Sequence, residues 1–165
     1  MPIRFSPAQI GLHWLTALLV LVQFLNDHAI GRAFRATMRR AAEIPGGWLV
    51  TAHVVIGVAI FVFAFWRIAL RLKRGAPPAP IGEPRALQRV AAATHGLLYG
   101  LLVLLPLSGL VAWFGAVGPA AEVHELLKSV LLAVIALHVA GTLYQQFVLR
   151  SGVVARMLPG RGAAR

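Results

Sequence analysis

The chain contains no cysteine. That excludes disulfides, iron–sulfur clusters, thiolate zinc sites, thiol catalysis and covalent haem attachment through a CxxCH motif. Charge is also scarce. Charged residues make up 13% of the 165 positions, against about 25% in a soluble domain. Only five are acidic. Apolar residues take their place, at 59% of the chain where about 45–50% is usual. The net charge of +11 does not point to a nucleic-acid partner. A nucleic-acid-binding domain carries its basic residues on a polar surface, whereas here they sit between long apolar runs, the pattern of a membrane protein.

Four apolar runs cover about residues 9–30, 48–70, 90–114 and 123–149. Each supplies the roughly 20 residues that a helix needs to cross the hydrocarbon core. None alternates in a strand-like way over a useful length. The fold expected is all-α: an integral membrane four-helix bundle filling one domain over residues 1–165. The connections are rich in breakers: GRAFRATMRRAAEIPGG, then the proline-dense KRGAPPAPIGEPR, then the short GAVGPAAE. The first run lacks an A-x-A-like cleavage site and carries His13, so it reads as a retained helix rather than a signal peptide. Pro106 and Gly109 interrupt helix three without a counterpart elsewhere, unlike the paired broken helices of transporters.

Basic residues set the orientation. One side receives Arg4, Arg67, Arg71, Lys73, Arg74, Arg85, Arg89, Arg150, Arg156, Arg161 and Arg165. The other receives Arg32, Arg35, Arg39, Arg40 and Lys128, together with four of the five acidic residues. The positive-inside rule then places both termini in the cytoplasm of a bacterial inner membrane.

Six histidines stand in or beside these runs: His13, His28, His53, His95, His124 and His138. Ionisable residues inside a membrane segment are costly and usually functional. His124 and His138 lie fourteen residues apart, within about 40° of one helix face and about 21 Å apart along the axis. His53 falls at the depth of His124, near the outer end. His13, His95 and His138 lie in the inner half, where only two of the three can serve one metal. Two depths suit two stacked haems, each needing two strong axial ligands. With no cysteine, and no methionine deep in a helix, bis-histidine ligation is what this chain offers. Zinc would want its ligands at one depth, usually with carboxylates. Gly57, Ala17 and Gly141, each near one of these histidines, leave room for a flat macrocycle or for close helix packing.

Arg67 lies fourteen residues after His53, and Arg71 follows one turn later. Both are placed to pair with propionates or to snorkel to headgroups. Lys128, one turn after His124, has the same two readings. His28 with Asp27 reads as an exposed interfacial pair. Arg32, Arg35, Arg39 and Arg40 form either an interfacial helix or a funnel for a small anion.

Four segments carry a resemblance: RFSPAQIGLHWLTALLV, TAHVVIGVAIFVFAFWRIALRL, THGLLYGLLVLLPLSGLV, and the stretch from VHELLKSVLLAVIALHVAG to the C-terminal MLPG. In these the chain resembles the bacterial cytochrome b561 family, small di-haem membrane cytochromes related to the haem-b subunits of nickel–iron hydrogenase and formate dehydrogenase. The resemblance implies two haems b, with His13 and His138 holding the inner one and His53 and His124 the outer. It leaves His95 beside the inner haem as a non-ligand. It implies electron transfer between the periplasmic face and the quinone pool, and in one branch superoxide oxidation coupled to ubiquinone reduction. A periplasmic redox partner is the other donor class. Where the family often has a His-His pair two turns beyond the second helix-four histidine, this chain has Gln145 and Gln146, which cannot deliver a proton as histidine can. Two other readings are a membrane-anchor cytochrome subunit of a periplasmic dehydrogenase, and a haem-free transport or structural bundle.

Overall fold

A computed structural model describes residues 4–158; Arg161 and Arg165 of the orientation argument lie outside the described residues. Five α-helices follow one another: α1 Pro7–Leu25, α2 Asp27–Met38, α3 Gly47–Arg74, α4 Arg85–Gly115 and α5 Gly118–Leu143. A π-helical turn, Tyr144–Val148, extends α5, and a short 3-10 turn, Val154–Met157, follows. Four segments are long and apolar enough to cross a membrane: α1, α3, α4, and α5 with its π extension.

Local chemistry sets the ends. Ser6 caps α1 in a reciprocal box with Gln9, and Pro7 occupies the first turn, where its missing N–H costs nothing. Gly75, at φ 72°, closes α3 in a conformation that side chains resist. Pro119 in the first turn lets α5 begin at Gly118, earlier than the expected 123. Likewise α4 begins at Arg85, just after Pro84, rather than at 90. Pro106 and Gly109 do not interrupt α4, which runs unbroken through both. A proline in a membrane helix is tolerated where neighbouring helices cover the loosened backbone, and Pro106 is buried.

The first apolar run is not one helix to residue 30. It breaks at Asn26, and α2 begins at Asp27. Asn26 donates its side-chain amide to the carbonyl of Leu49 at 2.7 Å, pinning the corner to the start of α3. Half of the expected outer loop is therefore helix, with Ala29 and Ala33 buried and Arg32, Arg35, Arg39 and Arg40 exposed.

The bundle core is an apolar layer of Val20, Ile60, Ala64, Leu101, Leu102, Leu131 and Val134. Val20, Ile60 and Leu131 each follow a histidine (His13, His53, His124) by seven residues, or about 10.5 Å of helix. Large apolar side chains such as Leu18, Val62, Trp66 and Leu132 cover the outside, as a lipid-facing surface requires.

Both ends of the described chain meet at one end of the bundle. Arg4 donates to the carbonyl of Ala155 at 3.0 Å, and Trp14 Nε1 to that of Met157 at 2.8 Å. The α3–α4 loop joins them, because Gln9 donates to the carbonyl of Gly75 and Arg156 to that of Pro78. This end is called the termini end below. The opposite end, carrying α2 and the α4–α5 turn, is the distal end.

Candidate functional site

The histidines expected at two depths do gather there. At the distal end, His53 on α3 faces His124 on α5, with ring centroids 6.4 Å apart and planes inclined by 60°. At the termini end, His13 on α1 faces His138 on α5 at 6.3 Å and 62°. The two spacings agree to 0.1 Å although they come from different helix pairs. His95 on α4 approaches His138 more closely, at 5.2 Å. His28 is exposed on α2, apart from both pairs.

The distal pair borders a cavity of about 470 Å³. Phe34 of α2 and Leu110 and Trp113 of α4 help enclose it. Gly57 lies on its wall, as its position one turn from His53 suggested. Gly109 has a role that the sequence did not disclose. A Cβ there would stand 2.9 Å from Cε1 of His124, so only glycine admits the imidazole against α4. The same approach lets His124 Nδ1 donate to the carbonyl of Leu105 at 2.9 Å, with Ser108 Oγ 3.3 Å away. A backbone acceptor on Nδ1 fixes the tautomer and leaves Nε2 with its lone pair free.

Gln23 was also missed. Its amide donates to the carbonyl of His53 at 2.9 Å. Its own Oε1, and Nδ1 of His53, are buried without a hydrogen-bond partner, and both residues line the cavity. The one signal in the sequence was a single amide within the apolar stretch from Ala17 to Leu25.

Lys128 is neither free for a propionate nor snorkelling to lipid. Its ammonium pairs with Asp27 at 2.8 Å and with Glu125 at 2.6 Å. The α1–α2 corner carries Asp27 to α5, which also undoes the expected Asp27–His28 pair. Asp27, Glu122, Glu125, Arg35 and Lys128 all border the distal cavity.

At the termini end, Arg67 Nη2 stands 3.2 Å from His13 Nδ1, and its guanidinium lies 5.4 Å over the ring of Tyr99. The sequence had placed Arg67 at this depth but not on a histidine. Trp14 meets His13 edge-on at 5.3 Å. His95 donates from Nδ1 to the carbonyl of Ala91, one turn back in α4. Arg71 is exposed. Ala17 and Gly141, offered as space beside the inner ligands, are exposed too, and a Cβ on Gly141 would meet nothing within 4 Å. Gln145 donates to Glu83 and accepts from Ser151 Oγ at 2.6 Å, so both ends of its amide are engaged; Gln146 is exposed.

Do these residues fit a haem? Two imidazoles on one first-row metal, with bonds of about 2.0 Å and roughly 1.1 Å from nitrogen to ring centre, have centroids about 6.2 Å apart. Both facing pairs match that separation, and His95–His138 is shorter than it. The buried orphan atoms at the distal cavity mark a site whose bonding a ligand or water completes. Among the described residues, no group of three or more histidine, aspartate or glutamate side chains is placed to hold a bare metal ion.

A four-span membrane bundle with facing histidine pairs at two depths defines a class, the histidine-bearing membrane cytochromes. The family model described as prokaryotic cytochrome b561 matches residues 4–160, and the chain belongs to that family. The family implies haem b and membrane electron transfer. The chain is 34% identical over 157 residues to a protein named cytochrome b562 from Cereibacter sphaeroides, covering 95% of this chain and 96% of that protein. It is 28% identical to a probable superoxide oxidase, CybB, from Yersinia pestis, covering 94% and 96%. It is 27% identical to cytochrome b561 homolog 1 from Escherichia coli, covering 96% and 98%.

Proposed function

We propose that the chain is a single di-haem cytochrome b domain of the bacterial inner membrane, with both termini in the cytoplasm. In this reading it moves electrons between the periplasmic face and the quinone pool. The observation that carries it is the matched spacing of the two facing pairs, 6.3 and 6.4 Å. His53 and His124 hold the distal haem, and His13 and His138 the haem at the termini end. His95 stands aside, because its distance to His138 is too short for a metal between them. When bound, haem b supplies a one-electron iron couple whose potential the protein tunes.

The chain's own part is ligation, orientation and exclusion of water. The carbonyl of Leu105 orients His124, Gly109 makes room for it, and the Asp27–Lys128–Glu125 cluster ties the α1–α2 corner to α5 beside the cavity. The apolar layer around Leu131 lies between the two sites. Superoxide is the donor favoured by the printed name of the Yersinia pestis relative, and the exposed arginines of α2 at the distal end suit an anion. Each superoxide gives up one electron and leaves as dioxygen. Ubiquinone takes two electrons and two protons to become ubiquinol. Gln145 is held by Glu83 and Ser151 while Gln146 is exposed, so Gln146 is the more accessible amide donor for a quinone near α5.

The test is to mix the oxidised, detergent-purified protein with superoxide and follow the visible bands. Growth of the sharp reduced bands, reversed by added ubiquinone, is expected. Spectra that stay oxidised while superoxide decays at its uncatalysed rate would rule out superoxide as the donor.

A further inference from the structure

The wall of the distal cavity carries a donor and an acceptor that have no partners among the described residues. Nδ1 of His53 and Oε1 of Gln23 are both buried and unbonded, and both side chains line the cavity. The two residues already touch. Gln23 Nε2 donates to the His53 carbonyl at 2.9 Å. That bond holds the amide of α1 against the turn of α3 that carries the imidazole.

A histidine in a helix has a ready local acceptor, the carbonyl four residues back. His95 uses it, with Nδ1 on the carbonyl of Ala91. For His53 that carbonyl belongs to Leu49, and it is already taken. It receives the backbone N–H of His53 in the ladder of α3, and the side-chain amide of Asn26 at 2.7 Å. A carbonyl oxygen has two lone pairs, so neither is left for Nδ1. His124, which faces His53, meets the same need across helices, on the carbonyl of Leu105. The corner at Asn26 thus makes His53 depend on an acceptor from another helix. Among the described residues, Gln23 Oε1 is the unclaimed side-chain acceptor buried at this cavity.

Buried polar groups left over in this way hold ordered water, which needs about two to four polar partners. We infer that Gln23 is the positioning residue of the distal histidine: one buried water accepts Nδ1–H of His53 and donates to Gln23 Oε1. The inference rests on the di-haem reading above, in which His53 and His124 hold the distal haem. With its proton held on Nδ1, His53 keeps the Nε2 lone pair free, the same tautomer that the Leu105 carbonyl sets on His124. A ring whose N–H is drawn toward an acceptor is also the more basic ligand. The two ends of the Gln23 amide have separate tasks. Nε2 fixes where the amide sits, and Oε1 acts on the ring.

The test is EPR of the oxidised, detergent-purified protein, with an optical redox titration and a haem count per chain on every sample. The distal haem is identified as the one that His124→Ala removes. Gln23→Leu keeps the bulk and removes both ends of the amide. It should shift the distal low-spin signal and raise the distal midpoint, by roughly tenfold in the reduced-to-oxidised ratio, about 59 mV for a one-electron couple. The other haem should not move. Gln23→Glu keeps an oxygen acceptor, so its distal midpoint should stay at or below the wild-type value. A distal midpoint that is unmoved or falls in Gln23→Leu overturns the inference. So does an equal rise in both variants, because the acceptor would then play no part. If Gln23→Leu loses the distal haem, Gln23→Glu decides: a retained distal haem supports the inference, and loss in both overturns it. A wild type with fewer than two haems per chain defeats the di-haem reading itself, which the count reports separately.

Discussion

His124 lies against Gly109 so closely that a single methyl group on the glycine would stand 2.9 Å from the imidazole's Cε1. The distal histidine's position is therefore set by a residue on the neighbouring helix that has no side chain. Gly109→Ala should push the ring off its bond to the carbonyl of Leu105. Overpacking of this kind costs about 1–3 kcal/mol. The variant should keep the termini-end haem and lose part of the distal one. Haem per chain, with thermal unfolding in the same detergent, checks both effects.

Removal of either member of a pair should cost one haem and spare the other. His124→Ala and His138→Ala should each fall from two haems to one, with different remaining spectra. The apolar layer containing Ile60, Leu101 and Leu131 separates the sites and should keep the effects independent. His95→Ala should retain both haems. A haemochrome count on the three variants decides.

The cluster of Lys128 with Asp27 and Glu125 joins α5 to the corner between α1 and α2. Side-chain exposures of 21% for Lys128 and 26% for Asp27 place it between a surface pair and a buried one. Lys128→Ala should lower stability by about 1 kcal/mol, an effect that shrinks at high salt. Thermal unfolding at low and high ionic strength measures it.

Trp14 ties the C-terminal segment to the helix that carries His13, through its bond to the carbonyl of Met157. Trp14→Phe keeps the apolar ring and removes that bond, at about 1 kcal/mol. Amide exchange around residues 151–158 should quicken, while haem content stays at two.

The spans and the depths of the histidines were legible because both follow from helix rise and residue spacing. Placing His53 and His124 at one depth and His13, His95 and His138 at the other needed only 1.5 Å per residue and a membrane of fixed thickness, whereas the choice of His13 with His138 came from the family resemblance. The corner at Asn26 was not legible. Residues 9–30 form one nearly continuous apolar run, and what ends the helix is a side-chain bond to Leu49, far along the chain. The partners of Lys128 were hidden for the same reason, since Asp27 reaches α5 only after that corner turns. Gly109 read as an interruption because its use depends on how α4 and α5 sit against each other.

In the proposed function the chain holds two haems b between two histidine pairs. The most direct measurement is a pyridine haemochrome count per polypeptide on protein expressed with ample haem, together with its oxidised and reduced spectra. Two non-covalent haems b per chain, low-spin in both states, are expected. A colourless protein, a single haem, or a high-spin spectrum would contradict it.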